Sequence, residues 1–231
     1  RPALPRCRRR PAVDSDRRSC VVEVARSRIA ESSPDARCQW PASIVASERS
    51  TTTPAISDDV VSPSAALPFA FSLLGTAVTN YSASSNGNVQ LFASTGSGLT
   101  AFTNAAIPTS ATPNLMAAPF WDDLRNVSTT VVRSATFGTA PNRHFTVEWF
   151  DSTLPSTGNI ERLRFQAQFY ETTNVTEFHY CSIVPGSITD GRANGNSATI
   201  CIEDSAGTAG VQASFNRPNS AVTGGAVRFT P

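Results

Sequence analysis

Alternation of apolar and polar residues is the dominant pattern over most of the chain. Residues 144–150 place Phe145, Val147 and Trp149 on one face of an extended strand, with polar residues between them. Residues 163–170 repeat this pattern. No segment of helical length shows a 3.6-residue period after the N-terminal region, so we predict an all-β domain of about eight to ten strands.

Turn-forming residues separate these segments at the spacing expected of a sandwich. The pair Asn86-Gly87 stands directly before the apolar segment 89–92, and this combination predicts a tight hairpin turn. A chain of 231 residues is long enough for one sizeable β domain with a tail. We therefore predict a jelly-roll-like antiparallel β-sandwich over residues 66–231.

The N-terminal region differs from the rest of the chain in charge and composition. Residues 1–50 hold 11 of the 19 basic residues and 6 of the 18 acidic ones, and all 19 are Arg. We predict that residues 1–40 are a disordered Arg/Pro-rich tail, with a short amphipathic helix over 18–29 as an alternative. Residues 41–65 are rich in Ser, Thr and Pro and are predicted to be a linker. The basic tail does not by itself indicate a nucleic-acid partner.

The sequence predicts no transmembrane segment. No apolar run approaches the roughly 18–20 residues that cross a bilayer. The chain begins at Arg1 rather than Met, which is compatible with a signal peptide that has been removed. A surface rich in Ser, Thr, Asn and Gly is typical of secreted bacterial all-β modules, and we expect a secreted or cell-surface location.

Two large aromatic residues run directly into two carboxylates in the stretch 117–124. Phe120 and Trp121 are predicted to fill the sandwich core, because each buries a large apolar area. Asp122 and Asp123 must then reach water, hydrogen-bond donors or a cation. The fold must therefore bury two large side chains and leave the two carboxylates that directly follow them in contact with water or with polar partners.

Three roles are open for the pair Asp122-Asp123, and no catalytic residue is assigned. The favoured role is structural, in which a carboxylate accepts hydrogen bonds from backbone amides or from Arg143 and ties the loop to the neighbouring strand. The second is a Ca²⁺ site, although the Asp-x-Asp-x-Asp-Gly loop is missing and no other cofactor is expected. The third is glycoside hydrolysis with Glu148, which needs two acids at a defined separation. The candidate binding residues are Trp121, Asp122, Asp123, Arg143 and Glu148.

His144 and His179 do not support nucleophilic catalysis or zinc binding. Each stands alone on the polar face of its strand, and the sequence has neither a Gly-x-Ser-x-Gly elbow nor a Cys-x-x-Cys pair. Tyr81, Phe150 and Tyr170 are the aromatic residues considered as exposed binding platforms, with core or edge packing as the favoured alternative.

An ordered set of short motifs resembles an all-β module of secreted and cell-surface bacterial proteins. The motifs are Leu-Pro-Phe-x-Phe at 67–71, Ser-Ser-Asn-Gly at 84–87, Ala-Pro-Phe-Trp-Asp-Asp-Leu at 118–124, Ala-Pro-Asn-Arg-x-Phe-x-Val-Glu-Trp at 140–149, Phe-Gln at 165–166, Tyr-Glu-x-Thr-Asn at 170–174 and Ser-Ala-Thr-Ile at 197–200. The Ala-Pro-Phe-Trp element is also similar to the extracellular nidogen-type domain of animal matrix proteins. The resemblance implies a module that accompanies secreted peptidases or repeated surface domains and brings no activity to carry over.

Cys181 and Cys201 stand where members of the resembled module tend to have glycine. Both lie opposite the apolar residues of two successive strands joined by a loop, so we predict a disulfide that closes a loop of about twenty residues. The alternative is a pair of unrelated buried thiols. The chain has five cysteines, so at least one has no partner within the chain.

The sequence therefore predicts a non-catalytic extracellular module for binding or adhesion, or an accessory module of a secreted or surface protein. Its expected partner is a cell-surface polysaccharide or a protein. A polysaccharide-active hydrolase that uses Asp122, Asp123 or Glu148 is the second hypothesis, and a structural surface-layer component is the third.

Overall fold

A computed structural model describes residues 21–23, 38, 40, 50–51, 58–155, 160–186 and 190–231. This described part holds thirteen β-strands and one 3-10 turn at Arg192–Asn194. The strands are β1 (Val21–Glu23), β2 (Ser50–Thr51), β3 (Ala65–Leu73), β4 (Thr76–Ala83), β5 (Val89–Phe92), β6 (Met116–Trp121), β7 (Val131–Phe137), β8 (His144–Ser152), β9 (Arg162–Tyr170), β10 (Thr176–Val184), β11 (Thr199–Glu203), β12 (Gly210–Phe215) and β13 (Ala226–Thr230).

The strands form two antiparallel sheets that enclose one core as a sandwich. The seven-stranded sheet has the order β1-β13-β10-β9-β8-β7-β2, and the six-stranded sheet has the order β12-β11-β6-β5-β4-β3. The predicted antiparallel β-sandwich is confirmed. Strands β3–β6 form one meander and β7–β10 another, and the chain then returns to β6 with β11 and to β10 with β13. These connections are simpler than the two Greek keys of a jelly roll.

The core between the sheets is built around a stack of aromatic rings. Trp149 of β8 stacks on Phe165 of β9 with ring centroids 5.0 Å apart. Phe120 of β6 stacks on the same Phe165 from the other sheet, at 5.5 Å. Burial of each apolar side chain of this size contributes about 1.5–3 kcal/mol relative to exposure. The alternation of side-chain direction along β6, β8 and β9 therefore brings these three rings into contact in the core, and the contact joins the two sheets.

Hydrogen bonds from aromatic side chains also connect the sheets. Trp149 Nε1 donates to the carbonyl oxygen of Ser84 at 2.8 Å. The hydroxyl of Tyr180 donates to the carbonyl oxygen of Pro119 at 2.9 Å. Buried indole and phenol donors need such partners, since an unpaired donor in the core would carry its full desolvation cost.

Short pieces of the N-terminal region belong to the seven-stranded sheet. β1 pairs with β13 from Val21↔Thr230 to Glu23↔Arg228, so the helix considered for residues 18–29 is wrong at these three positions. Successive β-branched valines suit an extended edge strand. β2 pairs with β7 at the opposite edge of the sheet. Most of the predicted tail over residues 1–40, including Cys7 and Cys20, lies outside the described residues.

The domain begins earlier than the predicted boundary at residue 66. Asp58 forms a bridge with Arg125, and Val61 forms one with Ser84. β3 then begins at Ala65. The C-terminal end of the predicted linker 41–65 is therefore part of the sandwich, because its backbone pairs with strands and loops of the domain.

The disulfide predicted between Cys181 and Cys201 is wrong. Cys181 is bonded to Cys38, with a Cα–Cα distance of 5.7 Å and a sequence separation of 143 residues. Cys201 is a free, buried thiol. The two strands follow each other in the chain, but the chain crosses from the seven-stranded sheet to the six-stranded sheet between them. Cys181 and Cys201 therefore belong to different sheets.

Candidate functional site

Phe120 and Trp121 point to opposite faces of β6. Phe120 lies in the core between the sheets. Trp121 belongs to a separate apolar cluster with Ile107, Met116, Ala118 and Cys201. Adjacent residues of a strand alternate in direction, so only one of the two aromatic residues can reach the core. The prediction that both fill the core is correct for Phe120 and wrong for Trp121, which lies buried beneath the loop before β6 and donates from Nε1 to the carbonyl oxygen of Ala101 at 3.0 Å.

The Asn86-Gly87 turn holds the two aspartates in place. It joins β4 to β5 as a hairpin, with Ala83 opposite Val89. Gly87 has φ +73°, and a Cβ there would lie 1.8 Å from the carbonyl oxygen of Phe120, so only glycine fits. Asn86 Oδ1 accepts a bond from the backbone N–H of Leu124 at 2.9 Å. The turn therefore fixes the chain on both sides of the Asp122-Asp123 pair.

Asp122 is held by a hydroxyl and a backbone amide. Its carboxylate accepts bonds from Ser197 Oγ at 2.5 Å and from the backbone N–H of Asp123 at 2.9 Å. Burial raises the pKa of Asp122 to about 6, although both hydrogen bonds and the charge of Arg192 oppose the increase. The backbone donor belongs to the next residue in the chain, and Ser197, just before β11, is a partner that the sequence pattern did not identify.

Arg143 is not the partner of either aspartate. Its Nε and Nη2 donate to the two carboxylate oxygens of Glu171 at 2.9 and 2.6 Å. The pKa of Glu171 is lowered, chiefly by this hydrogen bonding. The predicted tie between Asp122 or Asp123 and Arg143 is therefore wrong. The guanidinium of Arg143 is instead hydrogen-bonded in a bidentate ion pair with a carboxylate on its own side of the sandwich.

Asp123 lies in a cluster of three carboxylates with Asp58 and Asp59. Their ligand oxygens are all within 4.8 Å of one another. Burial raises the pKa of Asp123, and the negative charges of Asp58 and Asp59 raise it further. Carboxylate oxygens are the donor type that Ca²⁺ takes in proteins. The structure therefore groups Asp123 with two residues of the predicted linker, and Asp122, whose carboxylate accepts a bond from Ser197, is not a member of this cluster.

Glu148 is fully buried on the outer face of the seven-stranded sheet. It accepts hydrogen bonds from Arg133 Nε at 2.7 Å, Arg164 Nε at 2.9 Å and Gln166 Nε2 at 2.8 Å. A buried carboxylate needs several donors of this kind, because its desolvation is costly. The sequence pattern did not identify Arg133 as a partner of Glu148. The register Arg133↔Glu148 and Glu148↔Gln166 is what brings these side chains together.

The hydrogen-bonded network continues across the same face beyond Gln166. Gln166 Oε1 accepts from Gln168 Nε2 at 2.7 Å, and Gln168 Oε1 accepts from the Tyr170 hydroxyl at 2.9 Å. Tyr170 also lies 2.9 Å from Glu177, which is 2.9 Å from His179 Nε2. In the sequence, the polar residues at alternate positions 164, 166, 168 and 170 indicated that β9 has a polar outer face.

Burial and ionic contacts act in opposite directions on Glu177. Burial alone would raise its pKa, but the contacts with His179, Tyr170 and Arg228 lower the pKa to about 2. Burial lowers the pKa of His144, and the neighbouring His179 lowers it further. His179 is thus a hydrogen-bonded residue of the network, as expected for a structural histidine.

Each of the three aromatic residues considered as binding platforms has a contact within the domain. Tyr81 is buried, and its hydroxyl lies 2.9 Å from Ser134 Oγ. Tyr170 stacks on His144 with centroids 5.3 Å apart. The guanidinium of Arg133 covers the ring of Phe150 at 5.2 Å. Tyr81 is therefore a core residue, and the rings of Tyr170 and Phe150 each pack against a neighbouring side chain.

Comparison with known proteins gives one match. A family model described as NIDO related matches residues 42–231. No curated protein and no solved structure matches the chain. Within the described residues, no helix combines the length and the apolar character that spanning a membrane requires.

Proposed function

Because the chain belongs to the NIDO-related family, we propose that it is a non-catalytic extracellular module that binds or adheres to a surface polysaccharide or a protein. The family and the Cys38–Cys181 disulfide both fit an extracellular location, since disulfides persist in oxidising compartments. The proposal includes a role as an accessory domain of a larger secreted or surface protein, and the family assignment is compatible with this role.

The observation that carries this proposal is the separation of the candidate acids by the sandwich itself. Asp122 follows β6 of the six-stranded sheet. Glu148 faces outward from the seven-stranded sheet, because its neighbours Val147 and Trp149 fill the core. Glycoside hydrolysis needs two carboxyl groups about 5–9.5 Å apart across one sugar cleft. Residues on two different sheets, one of them on the outer face, do not form such a pair.

The interactions of these acids also favour a structural use. Asp122 is occupied by Ser197 and a backbone amide. Glu148 is enclosed by two guanidinium groups and has no exposed surface. A general acid or nucleophile must contact its substrate, and a fully buried, paired carboxylate does not.

A combined binding and turnover measurement tests the proposal. The purified chain is applied to a polysaccharide panel and to immobilised extracellular proteins, and retention and the release of new reducing ends are recorded. We expect retention on a subset of surfaces and no release of reducing ends. Turnover by the native chain that is lost in Asp122→Asn or Glu148→Gln would overturn the proposal in favour of a hydrolase.

The size of the protein in solution tests the third hypothesis. Sedimentation velocity over a range of concentrations should show no ordered assembly if the chain works as a binding module. Growth into sheets or large oligomers, without retention on any surface, would instead indicate a structural surface-layer component.

A further inference from the structure

A slot on the outer face of the seven-stranded sheet is formed by alternate residues of β7. Arg133, Ala135 and Phe137 face outward, because their partners across β8 are Glu148, Thr146 and His144. We call the space between Arg133 and Phe137, with Ala135 and Thr146 beneath it, the β7 slot. A small residue between two large ones leaves room for one ring.

Trp40 occupies the β7 slot. The guanidinium of Arg133 lies over the Trp40 ring, 4.2 Å from its centroid. Phe137 contacts the same ring edge-on, with centroids 5.6 Å apart. A cation over one face and an aromatic edge beside it are the usual attractions for an indole. The chain thus places one of its own aromatic residues in the slot.

Two further contacts attach the preceding backbone to this face. The carbonyl oxygen of Cys38 accepts a hydrogen bond from Arg164 Nη2 at 2.8 Å. Cys38 is also bonded to Cys181. Recognition of a backbone carbonyl and of a ring two residues later is how a protein surface holds an extended peptide.

One buried carboxylate orients both arginines that make these contacts. Glu148 accepts from Arg133 through one oxygen and from Arg164 through the other. The two guanidinium groups are therefore held before any peptide arrives, which lowers the cost of ordering them on binding. Glu148 acts on the peptide only through the arginines and is a positioning residue.

Trp40 does not satisfy the polar atoms of the slot. Its Nε1 and the hydroxyl of Thr146 are both buried, and neither has a hydrogen-bond partner among the described residues. Such atoms are rare in native proteins and call for an explanation. A peptide with different flanking groups can supply a donor or acceptor here that residues 38 and 40 do not supply.

We propose that the β7 slot and Arg164 form a binding site for an extended peptide with an aromatic side chain, and that Cys38 and Trp40 occupy it as an intramolecular ligand. This deepens the proposed function and rests on it, because it names a peptide as the ligand class of the binding module. The Cys38–Cys181 bond keeps the internal ligand at high effective concentration. A dithiol reductant opens the site: it gives two electrons and two protons, the disulfide becomes two thiols, and the dithiol becomes a disulfide.

The experiment uses the full chain and a labelled synthetic peptide, Ala-Arg-Ser-Gln-Trp-Pro-Ala-Ser, which has the sequence of residues 36–43 with serine at the Cys38 position. Fluorescence anisotropy measures its affinity for three proteins: the oxidised native chain, the same chain in dithiothreitol, and Trp40→Ala. We expect Trp40→Ala and the reduced chain to bind it about tenfold or more tightly than the oxidised chain. A peptide with alanine in place of tryptophan should bind about tenfold more weakly.

Matched variants locate the site. Adding Arg133→Ala to Trp40→Ala should abolish binding of the peptide. Adding Arg228→Ala to Trp40→Ala removes another arginine from the same sheet and should leave the affinity for the peptide unchanged. Equal affinity for the oxidised chain and Trp40→Ala, or no binding to either opened form, would overturn the proposal. If Trp40→Ala does not unfold cooperatively on heating, the affinities of the reduced and the oxidised native chain for the peptide are compared instead, and they test the proposal in the same way. A negative peptide result would leave the broader module assignment intact, because that assignment is tested by retention and turnover.

Discussion

Phe120 and Trp121 are adjacent in β6 and serve two different clusters. The ring of Phe120 stacks on Phe165 across the sandwich at 5.5 Å. The indole of Trp121 donates to the carbonyl oxygen of Ala101 at 3.0 Å on the other side of the sheet. One strand thus connects the core to the loop that covers the outer face, and the two aromatic residues can be tested separately.

Trp121→Phe should loosen the loop around Ala101 without unfolding the core. The substitution removes one buried hydrogen bond and part of the ring, which should cost about 1–2 kcal/mol of stability. Hydrogen exchange should rise mainly at residues 99–107. The matched variant Trp149→Phe removes an indole bond to Ser84 in the core, and its effect should spread through both sheets. Equal exchange patterns for the two variants would contradict the separate roles.

Asp122→Asn should stabilise the protein at neutral pH. The pKa of Asp122 is raised from 3.8 to about 6 in the folded state. The protonated carboxyl of Asp122 therefore stabilises the folded state fully below about pH 4. This stabilisation is lost as the pH rises through about 6. Denaturant unfolding at pH 7.5 should show a gain of about 1–3 kcal/mol for the variant, and the gain should vanish near pH 3.5. Ser197→Ala should raise the pKa of Asp122 further, and an unchanged pH profile in both variants would count against this assignment.

Glu177→Gln should have the opposite pH dependence. The pKa of Glu177 is lowered from 4.5 to about 2. Its contribution to stability is present above about pH 4.5 and is lost as the pH falls towards 2. We expect the variant to be about 1–2 kcal/mol less stable than the native chain at pH 7. The two proteins should become equally stable near pH 2 if the charge is the cause, and a difference that persists there would point to packing.

Asp123→Asn should stabilise the protein when a chelator is present. Asp123 lies within a cluster of like charges with Asp58 and Asp59, and removing one charge should gain a few tenths to about 1 kcal/mol. Thermal melts in EDTA measure this. A rise in the melting temperature of the native chain on adding Ca²⁺, absent in the variant, would assign the cluster a calcium role. A variant that is less stable in EDTA would contradict the repulsion.

Peptide mapping of the oxidised protein should recover Cys38 joined to Cys181. Cys201 should resist alkylation until the protein unfolds, because burial raises the pKa of its thiol well above the ordinary value. Cys38→Ser with Cys181→Ser should cost about 2–5 kcal/mol of stability. Recovery of a Cys181–Cys201 peptide would refute the pairing in the structure.

The partners of the site residues were harder to predict from the sequence than the strands were, because the residues that face each other across a sheet depend on the register of strand pairing. The alternation in 144–150 correctly indicated that Glu148 faces away from the core. It did not indicate that Arg133 lies directly opposite on β7, since that pairing follows from the turn between the strands. Arg143 likewise pairs with Glu171 because β8 and β9 form a hairpin that brings their far ends together. A single sequence does not specify such neighbours.

The sequence by itself determined the all-β class, most strands of the domain and the Asn86-Gly87 hairpin, because period-two alternation and turn chemistry act between near neighbours. Only the tertiary structure decided that Cys181 bonds to Cys38 and that Asp123 joins Asp58 and Asp59. These contacts join residues far apart in the chain. They form because the order of strands in two packed sheets, and the crossing of the chain between the sheets, decides which side chains meet.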